Sequence, residues 1–425
     1  MKFMNLPNSP RPISTERVSI NGNVCDADVS LRMLPEPAIV IRGEFATDIS
    51  NYLTFNDDVA TLTLMDRGLD IPILLTSRNF HSNQCAFTAR PVERIILGNL
   101  DQEAVRVEFE VLNFPELRKR GPQSEGDADV ELRAGEWVIY LRTKSDAGSS
   151  IRGLKESGGF ASTICGTLCK ADGGGFVYSA ASEVLTGCYN FLSFSRGFWT
   201  AIVLPVAYDR AGSKVWEEWA MRDSTSWRGI ESWLPSFGAE TIMAEVFPGF
   251  WKYWNDPGWK ESIELAIYWY VGSNKGESGA EGSIILTQTA LELLSWMVLV
   301  KDRRVLDAAA FTPGKLSGAD KIRLLLHTLD IPLPLPSGLV ELDKVRRGRN
   351  WTDGPAAFVG LRNSMVHPGD HKIFITAPGR ARADAMELGQ WYIELALLRL
   401  FGYVGEYSSR VAERNQGVQR VPWER

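Results

Sequence analysis

Along residues 104–111, AVRVEFEV, the apolar Val105, Val107, Phe109 and Val111 alternate with Arg106, Glu108 and Glu110. A period of two turns one face of a strand into a core and leaves the other in water. VSING (18–22), AIVIRGEF (38–45) and EWVIYLRTK (136–144) read the same way, with Gly, Asn and Pro between them. Residues 200–219 predict a hairpin turning at Asp209–Gly212. Glycine-rich stretches at 121–129, 145–150 and 171–175 read as loops. Residues 1–235 are therefore expected to form a mostly antiparallel β domain, in one or two lobes.

From residue 239 the period becomes helical. AETIMAEVFPGFWKYW and WKESIELAIYWYVG are separated by Asn255-Asp256-Pro257-Gly258. An apolar helix follows at 281–301, then a shorter one at 318–329. A helix begins near TDGPAAF, and the last, 381–401, puts Leu388, Trp391, Leu395 and Leu398 on one face. The fold class is thus α+β: the β domain precedes an all-α bundle over 239–405, and 406–425 is expected to be a loose polar tail.

The apolar stretch 283–300 carries Gln288 and Glu292 at its middle, which suits a buried helix better than a membrane span. The N-terminus lacks the apolar core of a signal peptide, so a cytoplasmic protein without membrane contact is expected. Hydrophobic residues make up 44% and charged residues 23% of 425, enough for a real core. The 14 tryptophans, several between Trp216 and Trp269, point to aromatic packing. A net charge of −6 argues against a basic coat for duplex DNA, while leaving room for a local basic site. Cys165 and Cys169 are four apart with no second pair, so zinc is not expected, nor is any other cofactor.

One short stretch carries candidate chemistry: GLRNSMVHPGD, residues 360–370. Asp353 can cap its helix and Pro355 suits the first turn. The helix should stop at His367, because a residue before proline is pushed out of the α region. Carbonyls at that end favour the protonated imidazole. At 100° per residue, Phe358, Val359, Leu361, Met365 and Val366 form an apolar arc with Arg362 inside it. Asn363 and His367 lie toward its edge. An arginine there needs an acidic partner, a subunit interface or a phosphate. Glu292, in a polar stripe with Gln288 and Ser295, is a candidate partner. A structural ion pair and a functional site both satisfy this pattern.

The stretch RNSMVH resembles the R-x4–6-H motif of the HEPN superfamily, in which a polar residue follows the arginine. A β-rich domain ahead of a HEPN bundle is similar to the ApeA type of anti-phage HEPN nuclease. The resemblance implies a metal-independent endoribonuclease acting as a homodimer, with Arg362 and His367 as the catalytic pair and Asn363 as the polar residue. It also implies attack by the RNA's own 2′-OH, leaving a 2′,3′-cyclic phosphate and a 5′-OH. Histidine can move the proton and arginine can hold the phosphate. Glu292 joins the catalytic set on the helical geometry alone.

A substrate groove needs positive charge. DKVRRGRNW (343–351) offers Lys344, Arg346, Arg347 and Arg349 with Trp351 beside them, a loop suited to single-stranded or looped RNA such as tRNA. The β domain would dock RNA or sense a phage-derived trigger. The rival expectation is a HEPN-like bundle that only dimerises and binds RNA or a partner. Serine-hydrolase and phosphate-loop spacings are absent from the sequence.

Overall fold

The computed structural model describes residues 6–48, 58–117, 129–312, 314–366, 377–412 and 417–424. The chain divides into two compact units: Met1–Glu116 with Ile139–Leu185 and Thr200–Arg228, and Leu117–Val138 with Thr186–Trp199 and Gly229–Arg425. The expected division at 235/239 is thus corrected: two segments of the N-terminal half, 117–138 and 186–199, belong with the helices. The α+β class holds, with a β-rich N-terminal region and a helical C-terminal one.

Six strands of the first unit close into a barrel: β1 (Arg11–Ile20), β2 (Asn23–Arg32), β3 (Ala38–Ala46), β4 (Val59–Leu64), β5 (Leu69–His81) and β6 (Gln84–Pro91). The order is β1-β2-β3-β6-β5-β4, every pair antiparallel. Alternate residues fill its interior, among them Val18, Ile20, Val29, Leu31, Ile41, Leu62, Ile73 and Phe87. The β1–β2 hairpin turns on Asn21 and Gly22 at φ of 48° and 79°. Both values lie in the left-handed region that a tight two-residue hairpin needs.

A second sheet runs β7-β13-β12-β8-β11-β10-β9. Its strands are β7 (Ile95–Gly98), β8 (Arg106–Leu112), β9 (Val130–Ala134), β10 (Trp137–Thr143), β11 (Ser162–Lys170), β12 (Ile202–Tyr208) and β13 (Lys214–Trp219). β8 is the alternating stretch of the sequence: Val107, Phe109 and Val111 are buried. The expected β12–β13 hairpin is present, closed by the Asp209 N–H donating to Ser213 O at 3.0 Å.

Two helices interrupt the half expected to be mostly β: α1 (Ala147–Ser157), whose start falls in the stretch 145–150 read as a loop, and α2 (Tyr178–Arg196). From Gly187 to Arg196 every residue of α2 is buried, polar Asn190 and Ser193 included, so this part of the helix is covered around its whole circumference. No polar stripe marks it as a surface helix.

In the second unit follow α3 (Ala239–Trp254), α4 (Lys260–Lys275) and α5 (Gly279–Trp296), the last continued by a π-helical turn, Met297–Asp302. Then come α6 (Gly318–Thr328), α7 (Val340–Gly348), α8 (Gly354–Val366) and α9 (Gly379–Leu400). The helix Gly279–Asp302 is long and apolar enough to cross a membrane. It packs instead against α4, α6, α8 and α9, with Ile284, Leu291 and Leu294 fully buried. Trp216, Trp219, Trp233, Trp251, Trp254 and Trp259 are all core residues of their units.

The expected loose tail is corrected as well. β14 (Glu406–Ser408) pairs with β15 (Val418–Arg420), and Tyr407, Val411 and Val421 are buried. Arg410 drives into the helices. Its Nε sits 2.7 Å from Glu394 Oε1 on α9, and its Nη groups donate to Gln390 Oε1 at 3.3 Å, to Tyr270 Oη at 3.2 Å and to the Glu231 carbonyl. Net charge along a segment therefore says little about docking when one arginine finds a buried carboxylate.

Candidate functional site

α8 starts as its sequence dictates. Asp353 Oδ1 accepts the Ala356 N–H at 2.8 Å, the expected cap. The same carboxylate accepts Arg323 Nε at 2.6 Å and Nη2 at 3.1 Å, tying the start of α8 to α6. Three glycines then allow close packing. A Cβ on Gly354 would lie 2.1 Å from Tyr392 Oη, one on Gly360 2.5 Å from the Trp351 indole, and one on Gly389 2.6 Å from both Phe358 and Thr287 Oγ1. α8 is thereby pressed against α5 and α9.

These contacts also give the helix directions. Gly354 meets Tyr392 while Phe358 meets Gly389, so α8 runs antiparallel to α9. Arg382 pairs with Glu281 at 3.4 Å while Gly389 meets Thr287, so α9 runs along α5 in the same sense. α8 is therefore antiparallel to α5. Moving along α8 from Val359 to Arg362 moves toward the N-terminus of α5, away from Glu292.

Arg362 sits partly buried near the end of α8. Its Nη1 donates to Asn363 Oδ1 at 3.4 Å, and its buried Nε has no hydrogen-bond partner among the described residues. No carboxylate among those residues pairs with it. The expected Arg362–Glu292 bond is not made, for the reason of direction just given. Glu292 Oε1 instead accepts Gln288 Nε2 at 2.6 Å, one turn back on α5. The point where Gly318, Gln288 Nε2, Glu292 Oε1 and Val359 Cγ1 converge places all three helices α5, α6 and α8 at this spot. Ser295 turns its hydroxyl to the carbonyls of Leu291 and Lys321. His367 lies outside the described residues.

The basic run 343–351 is corrected from loop to helix: most of it is α7 and its C-terminal turn. Asp384, 1% exposed, fixes the start of α7 by accepting the N–H groups of Glu341 and Leu342 at 3.0 and 3.1 Å. The positive charges are largely matched within the helix. Lys344 pairs with Glu341 at 2.6 Å, and Arg346 and Arg347 pair with Asp343 at 2.8 and 2.6 Å. The hydrogen bond from Arg346 holds the Asp343 carboxyl below its usual range. Arg349, exposed at the end of α7, has no ion pair among the described residues. Trp351 lies against Gly360 rather than open to solvent.

Sequence reasoning missed a charged cavity of about 580 Å³ in the first unit, bordered by Arg11, Glu110, Arg142, Cys165, Lys214 and Glu217. Arg11 pairs with Glu110, and Lys214 with Glu217 at 2.9 Å. Cys165 is exposed on β11, yet desolvation by the surrounding groups pushes its thiol up, against the opposing pull of Lys144. Alternation on β8 signalled a polar face at Glu108 and Glu110. That β1 and β13 would wall it in was not visible from local pattern.

The family model of the YopA C-terminal domain matches residues 256–420, and that of the YopA central domain matches residues 99–230. The SPbeta prophage-derived uncharacterized protein YopA of Bacillus subtilis (strain 168) is 25% identical over 408 residues, spanning 93% of this chain and 90% of its own. No solved structure matches significantly.

Proposed function

We propose that the helical unit is a metal-independent endoribonuclease of HEPN type, with Arg362 as the phosphate-binding group, Asn363 beside it and His367 as the group that moves the proton. The observation that carries this reading is the state of Arg362. A guanidinium that is half removed from water is costly without a counter-charge. Among the described residues Arg362 has no carboxylate partner, and its Nε has no acceptor. An anionic oxygen of a substrate would supply both. The guanidinium would then stabilise charge developing on the phosphate, while the ribose 2′-OH attacks and His367 shuttles the proton.

RNA binding would fall to the exposed Arg349 and to those α7 cations that can exchange their carboxylate partners for phosphate. The homodimer that the HEPN likeness implies would bring two motifs to one cleft. A cytoplasmic location suits a tRNA or other structured RNA as target. A relative that resides in a prophage fits a role in conflict between phage and host, either anti-phage defence or a toxin-like response, with the β-rich unit taking the trigger.

The rival reading, a HEPN-like bundle that only dimerises and binds RNA or a partner, leaves the unpaired state of Arg362 without a purpose. Incubating purified protein with total tRNA, with and without chelator, separates the two. The nuclease reading expects chelator-resistant cleavage to 2′,3′-cyclic phosphate ends, abolished by Arg362→Ala and by His367→Ala. Cleavage at the wild-type rate in both variants would remove the assignment.

A further inference from the structure

We propose that Gln288 is a positioning residue for Arg362: in the reacting conformation its side-chain carbonyl accepts the Nε–H of Arg362, leaving the two Nη groups for the scissile phosphate. The inference rests on the ribonuclease reading above.

Two complementary orphans carry it. Gln288 is 4% exposed, and its Oε1 is a buried acceptor without a donor among the described residues. Arg362 Nε is a buried donor without an acceptor among them. Buried polar atoms left unmade cost free energy, and they concentrate where a ligand or a movement completes them. Both orphans belong to one packed set of helices. Val359, one turn before Arg362, shares its contact point with Gln288 and Glu292. Because α8 is antiparallel to α5, Arg362 lies on the Gln288 side of that point.

The orientation of the amide is settled by its neighbour. Gln288 Nε2 donates to Glu292 at 2.6 Å, so the nitrogen faces the C-terminal end of α5. That leaves the carbonyl oxygen as the amide's unused group. Glu292 thus acts through Gln288: the carboxylate locks the amide, and the amide offers the arginine its oxygen. The other polar side chains nearby are already engaged, Thr287 with the Ser283 carbonyl at 2.9 Å and Ser295 with Leu291 O at 2.7 Å. Fixing Nε also fixes the plane of the guanidinium, which decides whether the Nη pair can grip a phosphate in bidentate fashion.

The test is steady-state cleavage of total tRNA by Gln288→Leu, Gln288→Glu and Arg362→Lys, with melting temperature as a folding control. Loss of one hydrogen bond to a charged donor should lower kcat of Gln288→Leu about tenfold, with KM within about twofold. Gln288→Glu keeps an oxygen for Nε–H but loses the donor to Glu292, so its loss of rate should be real yet smaller than that of Gln288→Leu. Lysine has no counterpart of Nε–H, so Gln288→Leu should add nothing in the Arg362→Lys background. Wild-type kcat in Gln288→Leu, or an equal loss in both backgrounds, overturns the proposal while leaving the nuclease reading standing. If the wild type cleaves no RNA, the nuclease reading falls separately. The same cycle is then read on binding of a 2′-O-methyl RNA oligonucleotide by fluorescence anisotropy, where coupling supports the pairing, and additivity or lack of binding overturns it.

Discussion

Replacing Arg410 with methionine isolates the mooring of the C-terminal segment. The side chain enters a site where Glu394 is 0% exposed, and it supplies the ion pair at 2.7 Å plus donors to Gln390, Tyr270 and the Glu231 carbonyl. Methionine keeps much of the apolar stem and removes the charge. The Glu394 carboxylate would retain the Tyr270 hydroxyl at 2.5 Å as its side-chain donor. Stranding one member of a buried pair typically costs about 3–5 kcal/mol, and that loss is expected here at pH 8. The pH dependence gives a sharper check. Burial already raises the Glu394 pKa, with Arg410 opposing. Removing Arg410 raises it further. A raised folded-state pKa means stability that is full below the unfolded value, about 4.3 for glutamate, and is lost as pH climbs through the folded value. The variant's deficit should therefore shrink steadily from pH 8 to pH 5, as Glu394 takes up a proton in the fold. Urea unfolding followed by tryptophan fluorescence at both pH values measures it. A deficit below about 1 kcal/mol at pH 8, or one equal at both pH values, would refute the reasoning.

Glu292→Gln should cost less than about 1 kcal/mol of stability, because Glu292 neutralises no arginine and glutamine can still accept from Gln288; a urea midpoint lowered by several times that would show a hidden ion pair. Gly389→Ala places a methyl against Phe358 and Thr287 at 2.6 Å, and overpacking of about 1–3 kcal/mol should lower the melting temperature. In RNA-binding salt titrations, Arg349→Ala should remove about one phosphate contact from the slope, whereas Arg346→Ala should remove less, because it also frees Asp343 from one partner. Sedimentation at micromolar concentration should show a dimer, with Ile285 (36% exposed) and Val366 (39% exposed) available to its contact; full activity from a monomer alone would contradict this.

The residues 104–111 and 38–45 announced their strands because alternation is a local property, and a half-buried strand has little freedom to place those side chains elsewhere. The α8 start was equally legible: Asp353, Pro355 and the apolar arc are statements about one helix. What lay beyond local pattern was every feature that depends on which element comes to lie beside which. α2 was missed because a helix buried all round shows no 3.6-residue stripe. The α7 charges read as a free basic run because their i,i+3 and i,i+4 partners, Glu341 and Asp343, count only once the segment is helical. Arg410, in a polar tail, became an anchor because a fully buried carboxylate on α9 waited at the right depth. The candidate site divides along the same line. Sequence alone singled out Arg362 and Glu292 by their angles on two separate helices, and Asn363 by the motif that the stretch resembles. Only the antiparallel packing of α8 on α5, made close by glycines that let the helices touch, decided that Arg362 would lie beyond Glu292, which bonds Gln288 one turn back on its own helix.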